Sequence, residues 1–199
     1  MNVMGFAASP RKEGNTAWII NKILEGAKEQ GAETQSWCFS ALDIKPCRGC
    51  LGCQQGKRGC ILNDDMQTLY DALEHADALV LGSPVYMGQM SAQAKIFTDR
   101  LFAHIHPRFS PHYKEQITKK KLVLVFSQGN PDPGMFQVYF DYTKYIFQLL
   151  EFDVKGLHVV PGMRNEPAHE RKELHTSMRD VGSSLVSQQF QEYIKIMIP

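Results

Sequence analysis

Residues 3–16 read VMGFAASPRKEGNT, in which an apolar run leads directly into a polar, basic loop and then into a helical pattern. The run at 3–8 predicts a strand buried on both faces, and Asn15 with Thr16 stands where a helix begins. The N–H groups of such a loop and the dipole of the following helix converge on one point, which favours an anion. The loop lacks both Gly-rich nucleotide signatures, GxGxxG and GxxxxGK[ST], so it suits a monophosphate. The alternative is an ordinary turn whose Ser9, Asn15 and Thr16 cap the helix.

Apolar, β-prone runs alternate along the whole chain with stretches of helical periodicity. The predicted strands cover 3–8, 34–39, 77–82, 121–126 and 153–160. The predicted helices cover about 15–30, 64–75, 91–103, 135–150 and 168–195. This alternation predicts an α/β fold, a doubly wound five-stranded parallel sheet of order 2-1-3-4-5 with helices on both faces. In that order the ligand site lies at the carboxyl ends of the strands, in the loops after strands 1, 3 and 4.

The other two loops of this predicted site are polar and contain glycine. They read SPVYMGQM at 83–90 and SQGNP at 127–131. Gly88 permits close approach of a ligand to the backbone, Tyr86 offers an aromatic face, and the second loop supplies amide groups for the polar edge of a planar ring. The alternative is that Gly, Ser and Asn are here only as common turn residues.

The composition limits the classes of function. With 199 residues and 43% hydrophobic content, the chain is predicted to be a single domain, 1–199. A net charge of +1 from 22 basic and 21 acidic residues offers no basic surface for nucleic acid. No apolar run approaches the roughly 18 residues of a membrane span, and no signal stretch begins the chain. We therefore expect a cytoplasmic protein that acts on small molecules and binds neither nucleic acid nor membranes.

Two of the loops carry motifs that resemble those of a known family. Residues 8–16 read ASPRKEGNT and residues 82–91 read GSPVYMGQMS. They are similar to the GSPRxxGNT and SPVYxG motifs of the flavodoxin-like NAD(P)H-dependent FMN reductase superfamily, with a departure at Ala8. The helix at 92–100 also looks like this family, and the resemblance extends over about residues 1–160.

The resemblance implies that the cofactor is FMN and that NAD(P)H is a co-substrate. By position, the residues that would hold the FMN phosphate are Ser9, Arg11, Asn15 and Thr16. Those that would border the isoalloxazine ring are Pro84, Val85, Tyr86, Met87 and Gly88. A third contact would come from Ser127, Gln128 and Gly129.

Four of the five cysteines lie within residues 47–60, at Cys47, Cys50, Cys53 and Cys60. So compact a group cannot cross-brace a domain, and in a reducing compartment it indicates metal-binding or redox-active thiols. Within the superfamily this spacing resembles the iron-sulfur flavoproteins, and four thiolates can hold one [4Fe–4S] cluster. The alternatives are a zinc site and a loop of free or partly oxidised thiols. Cys38, in a predicted strand, is expected in the core.

These features predict an FMN-dependent oxidoreductase. NAD(P)H, or a reduced protein donor such as a ferredoxin-like protein, would pass electrons through FMN to a small acceptor, and the cofactor rather than a side chain would carry the chemistry. His104 and His106 are assigned no role. The alternatives are a non-enzymatic FMN electron carrier between partner proteins and a thiol-based redox sensor. The resemblance also implies a homodimer or homotetramer.

Overall fold

The computed structural model describes residues 1–54, 59–103 and 119–187. Its strands are β1 (Asn2–Ala7), β2 (Glu33–Cys38), β3 (Ala78–Tyr86), β4 (Gln89–Met90), β5 (Lys121–Ser127) and β6 (Asp153–Val160). Its α-helices are α1 (Asn15–Glu29), α2 (Met66–His75), α3 (Ala92–Arg100), α4 (Gln137–Leu149) and α5 (Lys172–Ser187).

The long strands form one parallel sheet of order β2-β1-β3-β5-β6. This is the predicted order 2-1-3-4-5, because β4 is a two-residue strand that pairs antiparallel with the end of β3 and lies off that path. β1, β3 and β5 are almost entirely buried, as expected for strands covered by helices on both faces. The flavodoxin-like α/β fold class is therefore confirmed.

Alternate residues of the strands feed two separate cores, one on each face of the sheet. In β1, Phe6 points into the core under α2, α3 and α4, whereas Val3 points into the core under α1 and α5. α1 and α5 lie in backbone contact: a Cβ at Gly26 would be 2.0 Å from the Arg179 carbonyl oxygen, so only glycine allows this approach.

Three expectations differ from the structure or lie outside it. The last helix begins at Lys172, after a 3₁₀ turn at Ala168–Glu170. Its predicted portion at 188–195, together with His104 and His106, lies outside the described residues. Cys38 is partly exposed rather than in the core, because β2 is an edge strand whose burial is low along its length. Among the described helices, none has both the length and the apolar composition needed to cross a bilayer.

Candidate functional site

A cavity of about 180 Å³ opens at the carboxyl ends of β1, β3 and β5, the edge of the sheet at which the strand order predicts a ligand site. Its walls come from the segment that follows β1, from the last residues of β3 and β5, and from the loops that follow β5 and β6. Polar groups contribute most of its lining, as a phosphate and a ribityl chain would require.

The loop after β1 contributes Ser9, Arg11 and Gly14 to the cavity wall, and the start of α1 contributes Asn15 and Thr16. Ser9 is buried, and its Oγ accepts a hydrogen bond of 3.1 Å from the Arg11 N–H, which holds the loop in a tight curve. α1 begins immediately after Gly14, which has no side chain with which to cap the first turn. The first-turn N–H groups and the helix dipole therefore suit an anionic ligand.

The polar side chains of this loop make specific contacts across the molecule. The Thr16 hydroxyl lies 2.8 Å from the Ser127 hydroxyl at the end of β5, and both side chains are buried. Asn15 Oδ1 accepts a hydrogen bond of 3.0 Å from the Ala168 N–H. The alternative prediction, in which Ser9, Asn15 and Thr16 cap α1, is wrong, because Gly14 is the N-cap residue and their bonds go elsewhere.

The last three residues of β3, Pro84, Val85 and Tyr86, line the cavity, and the segment that follows them leads into α3. A chain of hydrogen bonds fixes its shape: Ser91 N–H donates to Ser83 Oγ at 2.9 Å, and Ser91 Oγ donates to the Ala8 carbonyl at 2.6 Å. The loop therefore presents a preformed edge to a ligand.

The turn between β3 and β4 is tight and open to solvent. Met87 and Gly88 have φ of 49° and 79°, the left-handed region that glycine adopts without strain. Met87 is fully exposed and Tyr86 is 41% exposed. These side chains form an apolar rim beside the mouth of the cavity.

The loops after β5 and β6 close the remaining side of the cavity together. Ser127 and Gly129 line it from β5, and Met163 and Arg164 line it from β6. Gly129 lies directly beneath Arg164, since a Cβ at that position would be 2.9 Å from the Arg164 Cγ and Nε atoms. Two backbone hydrogen bonds join the loops, Met163 N–H to the Gln128 carbonyl and Gly162 N–H to the Asn130 carbonyl, each 3.0 Å long.

Nine of the twelve predicted flavin-site residues line the cavity, and three do not. Gln128 is buried in its own loop, where its Nε2 donates to the carbonyls of Asn130 and Asp132 at 3.1 and 2.7 Å. Met87 and Gly88 lie at the rim instead. Residues that the sequence reasoning missed are Gly14, Met163 and Arg164. The last two follow strand β6, whereas the predicted site was limited to the loops after strands 1, 3 and 4, and their basic and apolar character gave no specific signal.

The cysteine segment, residues 47–60 without 55–58, reaches the core on the sheet face covered by α2 and α3. Cys47 and Cys50 are exposed, whereas Cys53 and Cys60 are partly buried against the core. Burial raises the pKa of the Cys53 thiol above its ordinary value, and the nearby Cys60 and Cys47 raise it further. Mutual repulsion of thiolates is relieved when a cation binds them, so this donor set fits a metal cluster chemically. Within the described ranges, however, no three of these groups are arranged to hold a metal.

A five-stranded parallel sheet of this order, with a polar anion-type loop after its first strand, defines a flavodoxin-like α/β protein with a nucleotide-type ligand site. The family model for NADPH-dependent FMN reductase matches residues 1–149. The chain belongs to this family.

Curated relatives carry the iron-sulfur flavoprotein name. The chain is 40% identical over 101 residues to an iron-sulfur flavoprotein of Methanocaldococcus jannaschii, which covers 50% of this chain and 51% of the relative. It is 39% identical over 100 residues to an iron-sulfur flavoprotein of Methanosarcina thermophila, with coverage of 50% and 52%. The chain thus spans about half the length of the curated relatives it matches. The predicted resemblance to the iron-sulfur flavoprotein branch is confirmed.

A solved structure shows the same fold over nearly the whole chain. It is an NAD(P)H:quinone oxidoreductase from Methanothermobacter marburgensis, with a TM-score of 0.73 and 17% sequence identity, and the match covers 93% of this chain and 96% of that one. At this level of identity the likeness concerns the fold alone.

Proposed function

We propose that the chain binds FMN in the cavity at the carboxyl ends of β1, β3 and β5 and acts as an FMN-dependent oxidoreductase. Electrons would come from NAD(P)H or from a reduced protein donor and would leave to a small acceptor. The observation that carries this proposal is the first turn of α1, which faces the cavity behind Gly14 without a capping side chain. Membership of the NADPH-dependent FMN reductase family supports the same cofactor.

The residues of the first loop suit the phosphate end of FMN. Arg11 brings a guanidinium to the cavity, and Ser9 and Thr16 bring hydroxyls. The backbone N–H groups of the first turn of α1 add further hydrogen-bond donors. Asn15 already uses its Oδ1 to accept from Ala168, so its Nδ2 group is the part that would face the ligand. Together these groups would neutralise a dianion and fix its position.

The size of the cavity indicates how the rest of FMN would lie. At about 180 Å³ it is smaller than the roughly 300–1,000 Å³ of ordinary small-molecule pockets, so it suits the phosphate and ribityl chain. The ring would then lie at the mouth, against Pro84, Val85 and Tyr86. When bound there, FMN supplies the chemistry, taking up a hydride and passing electrons on. The residues that line the cavity would orient the cofactor beneath its mouth.

The cysteines support a second cofactor. We propose that Cys47, Cys50, Cys53 and Cys60 ligate a [4Fe–4S] cluster once their thiols converge. The support is a four-thiolate donor set of compact spacing, the proximity of Cys53 to Cys47 and Cys60, and the iron-sulfur flavoprotein name of the relatives. Assays of iron and acid-labile sulfide distinguish this cluster from the two alternatives, a zinc ion and free thiols.

An exposed apolar surface supports the proposal of a homodimer or homotetramer. The rim at Tyr86 and Met87 continues onto α4, because Gly88 lies against Phe136. Large apolar side chains that are exposed there are Met135, Val138, Tyr142 and Tyr145. Contiguous apolar surface of this kind usually marks a contact with another protein. A second copy seated on it would lie beside the mouth of the cavity, and sedimentation of the FMN-loaded protein tests the assembly.

The first experiment is an FMN titration followed by anaerobic stopped-flow reduction. We expect FMN to bind, and NADH or NADPH to bleach it rapidly. Arg11→Ala should weaken FMN binding about tenfold, equivalent to roughly 1.4 kcal/mol. Lys12→Ala is the matched control, because Lys12 is an exposed neighbour that does not line the cavity. Absence of FMN binding would overturn the proposal. Reduction by a ferredoxin-like protein and by neither nicotinamide would favour the electron carrier instead.

A further inference from the structure

The cysteine segment is tied at its base by two adjacent carboxylates. Asp65 Oδ2 accepts a hydrogen bond of 2.7 Å from the Asp43 N–H, and Asp64 Oδ2 accepts one of 2.9 Å from the Lys45 N–H. The Asp65 N–H also donates to the Asp43 carbonyl at 3.2 Å. These bonds join residues 43–45 to residues 64–65 in a stem, and Cys47 to Cys60 all lie in the loop between the two sides of that stem.

Arg100, the last residue of α3, fastens the stem to the body of the protein. Its Nη1 and Nη2 atoms donate to Asp64 Oδ2 and Oδ1 at 2.7 and 3.0 Å, a two-point contact between guanidinium and carboxylate. Nη1 also donates to the Lys45 carbonyl at 2.7 Å, so the same group holds both sides of the stem. The two side chains are 1% and 0% exposed.

Both members of this pair are ionised in their buried position. Although burial opposes the charge, hydrogen bonds from Arg100, Lys45 and Met66 hold the pKa of Asp64 below its ordinary value. Apolar side chains of similar volume commonly stabilise a core as well as a buried ion pair does. The pair is therefore better explained by the geometry that it imposes on the stem than by stability alone.

Helix α2 provides a second connection between the stem and the cysteine segment, through the side chain of Gln67. The Gln67 Nε2 donates to the Leu62 carbonyl at 2.7 Å and to the Cys60 carbonyl at 3.3 Å. Tyr70, one turn further along α2, donates through its hydroxyl to the Arg100 carbonyl at 2.8 Å. The position of Cys60 is thus linked through side-chain contacts to Arg100 and to the end of α3.

We infer that Asp64 and Arg100 are positioning residues that hold the cysteine segment in register for its thiolates to bind an iron-sulfur cluster. This inference rests on the cluster proposed above. Among the described contacts, the pair does not touch the sulfur of any of the four cysteines or the flavin cavity. It acts by fixing the two sides of the stem from which the cysteine segment extends. Its loss should therefore affect iron retention while FMN remains bound.

The test uses the anaerobically purified holoprotein and the variants Asp64→Asn and Arg100→Lys. Asp64→Asn keeps the shape of the side chain but removes its charge, and Arg100→Lys keeps the charge but removes the two-point contact. Asp99→Asn is the matched control, because Asp99 belongs to an exposed ion pair with Lys95 on the same helix. Iron, acid-labile sulfide and FMN are measured per chain, with the rate at which a chelator removes the iron.

We expect both variants to keep FMN and to lose iron to the chelator about 10- to 100-fold faster than the wild type, as when second-layer partners of metal ligands are removed. Amide hydrogen exchange of the iron-free variants should be faster at residues 43–45 and 60–66 and unchanged in α1. Asp99→Asn should match the wild type in every measurement.

The other outcomes separate the inference from the function on which it rests. A wild type that contains FMN but no iron would overturn the cluster proposal and this inference with it. A wild type with iron, together with variants that keep it equally well, would overturn the inference alone. Loss of FMN as well as iron from both variants would show that the pair supports the whole fold, and this result too would contradict a positioning role.

Discussion

The buried hydroxyl pair between Thr16 and Ser127 allows a direct test of how the floor of the cavity is built. The two oxygens lie 2.8 Å apart although the residues are 111 positions apart in sequence, and the side chains are 2% and 5% exposed. The pair joins the start of α1 to the end of β5. Thr16→Val removes one hydroxyl with almost no change of shape, and Ser127→Ala removes the other.

Each single variant should leave the partner hydroxyl buried without its bond. The cost of such an unsatisfied group is about 1–3 kcal/mol, whereas removing both partners is close to neutral. We therefore expect each single variant to lower the free energy of unfolding by about 1–3 kcal/mol. The double variant should lose less than the sum, with a coupling of about 1–2 kcal/mol. Urea denaturation of the flavin-free proteins measures all four corners of this cycle.

FMN affinity should respond differently from stability. If the two hydroxyls also donate to the cofactor, the double variant regains most of its stability but still lacks both donors. Two neutral hydrogen bonds at about 0.5–1.5 kcal/mol each correspond to a weakening of FMN binding of roughly 5- to 150-fold. Ser183→Ala is the control: Ser183 Oγ donates to the Gly26 carbonyl at 3.2 Å, away from the cavity, so this variant should keep its affinity.

Two results would refute this reasoning. Strictly additive losses of stability in the two single variants would mean that the hydroxyls do not pair in solution. Recovery of FMN affinity in the double variant, in step with its stability, would mean that neither hydroxyl contacts the cofactor. The second result would leave the phosphate to the backbone of the first loop and to Arg11.

Three further predictions concern other parts of the structure. Burial lowers the pKa of His158 from 6.5 to about 4, so as the pH falls this histidine takes up a proton in the unfolded chain before it does so in the folded one. The free energy of unfolding should therefore decrease by about 3 kcal/mol between about pH 7 and pH 4. In urea denaturation, His158→Leu should remove this loss and the exposed-site variant His169→Gln should keep it; equal slopes would contradict neutral burial. Arg164→Ala should weaken FMN binding about tenfold in a fluorescence titration, and unchanged affinity would place the β6 loop outside the ligand site. Gly182→Ala would set a Cβ 1.8 Å from the Ile23 carbonyl oxygen. Although alanine gains roughly 1 kcal/mol in helix propensity, this variant should lower the free energy of unfolding by about 2 kcal/mol or more, as measured by thermal unfolding. An unchanged melting midpoint would show a looser contact between α1 and α5.

The fold was predictable because its signals are local and periodic. The runs at 77–82 and 121–126 are apolar on both faces, as in strands covered by helices, and they became β3 and β5. β4 was not predicted, because two residues are too short for a periodic pattern and their pairing depends on the turn at Met87 and Gly88. The exposure of Cys38 could have been predicted, because the predicted order 2-1-3-4-5 already places its strand at the edge of the sheet, where burial is low; its apolar character alone suggested the core.

The sequence predicted those residues of the candidate site that belong to motifs at the ends of the central strands. The positions of Ser9, Thr16 and Ser127 follow from the strand order and the motifs. The inward turn of Gln128 does not, because its amide is taken up by carbonyls of its own loop. Nor does the contribution of Arg164, since it requires the β6 loop to fold over Gly129 through backbone hydrogen bonds that leave no pattern in the sequence.

One helix connects the two proposed cofactor sites. The residue before α3, Ser91, accepts from the Ala94 N–H as its N-cap and donates to the Ala8 carbonyl beside the first loop. At the other end Arg100 holds the stem of the cysteine segment. A helix of nine residues is roughly 14 Å long, and its backbone bonds make it rigid on that scale. The spacing between the first loop and the cysteine stem is therefore set by α3. A change confined to the Arg100 side chain leaves the contacts at the Ser91 end in place, so it should disturb one site while the other keeps its ligand.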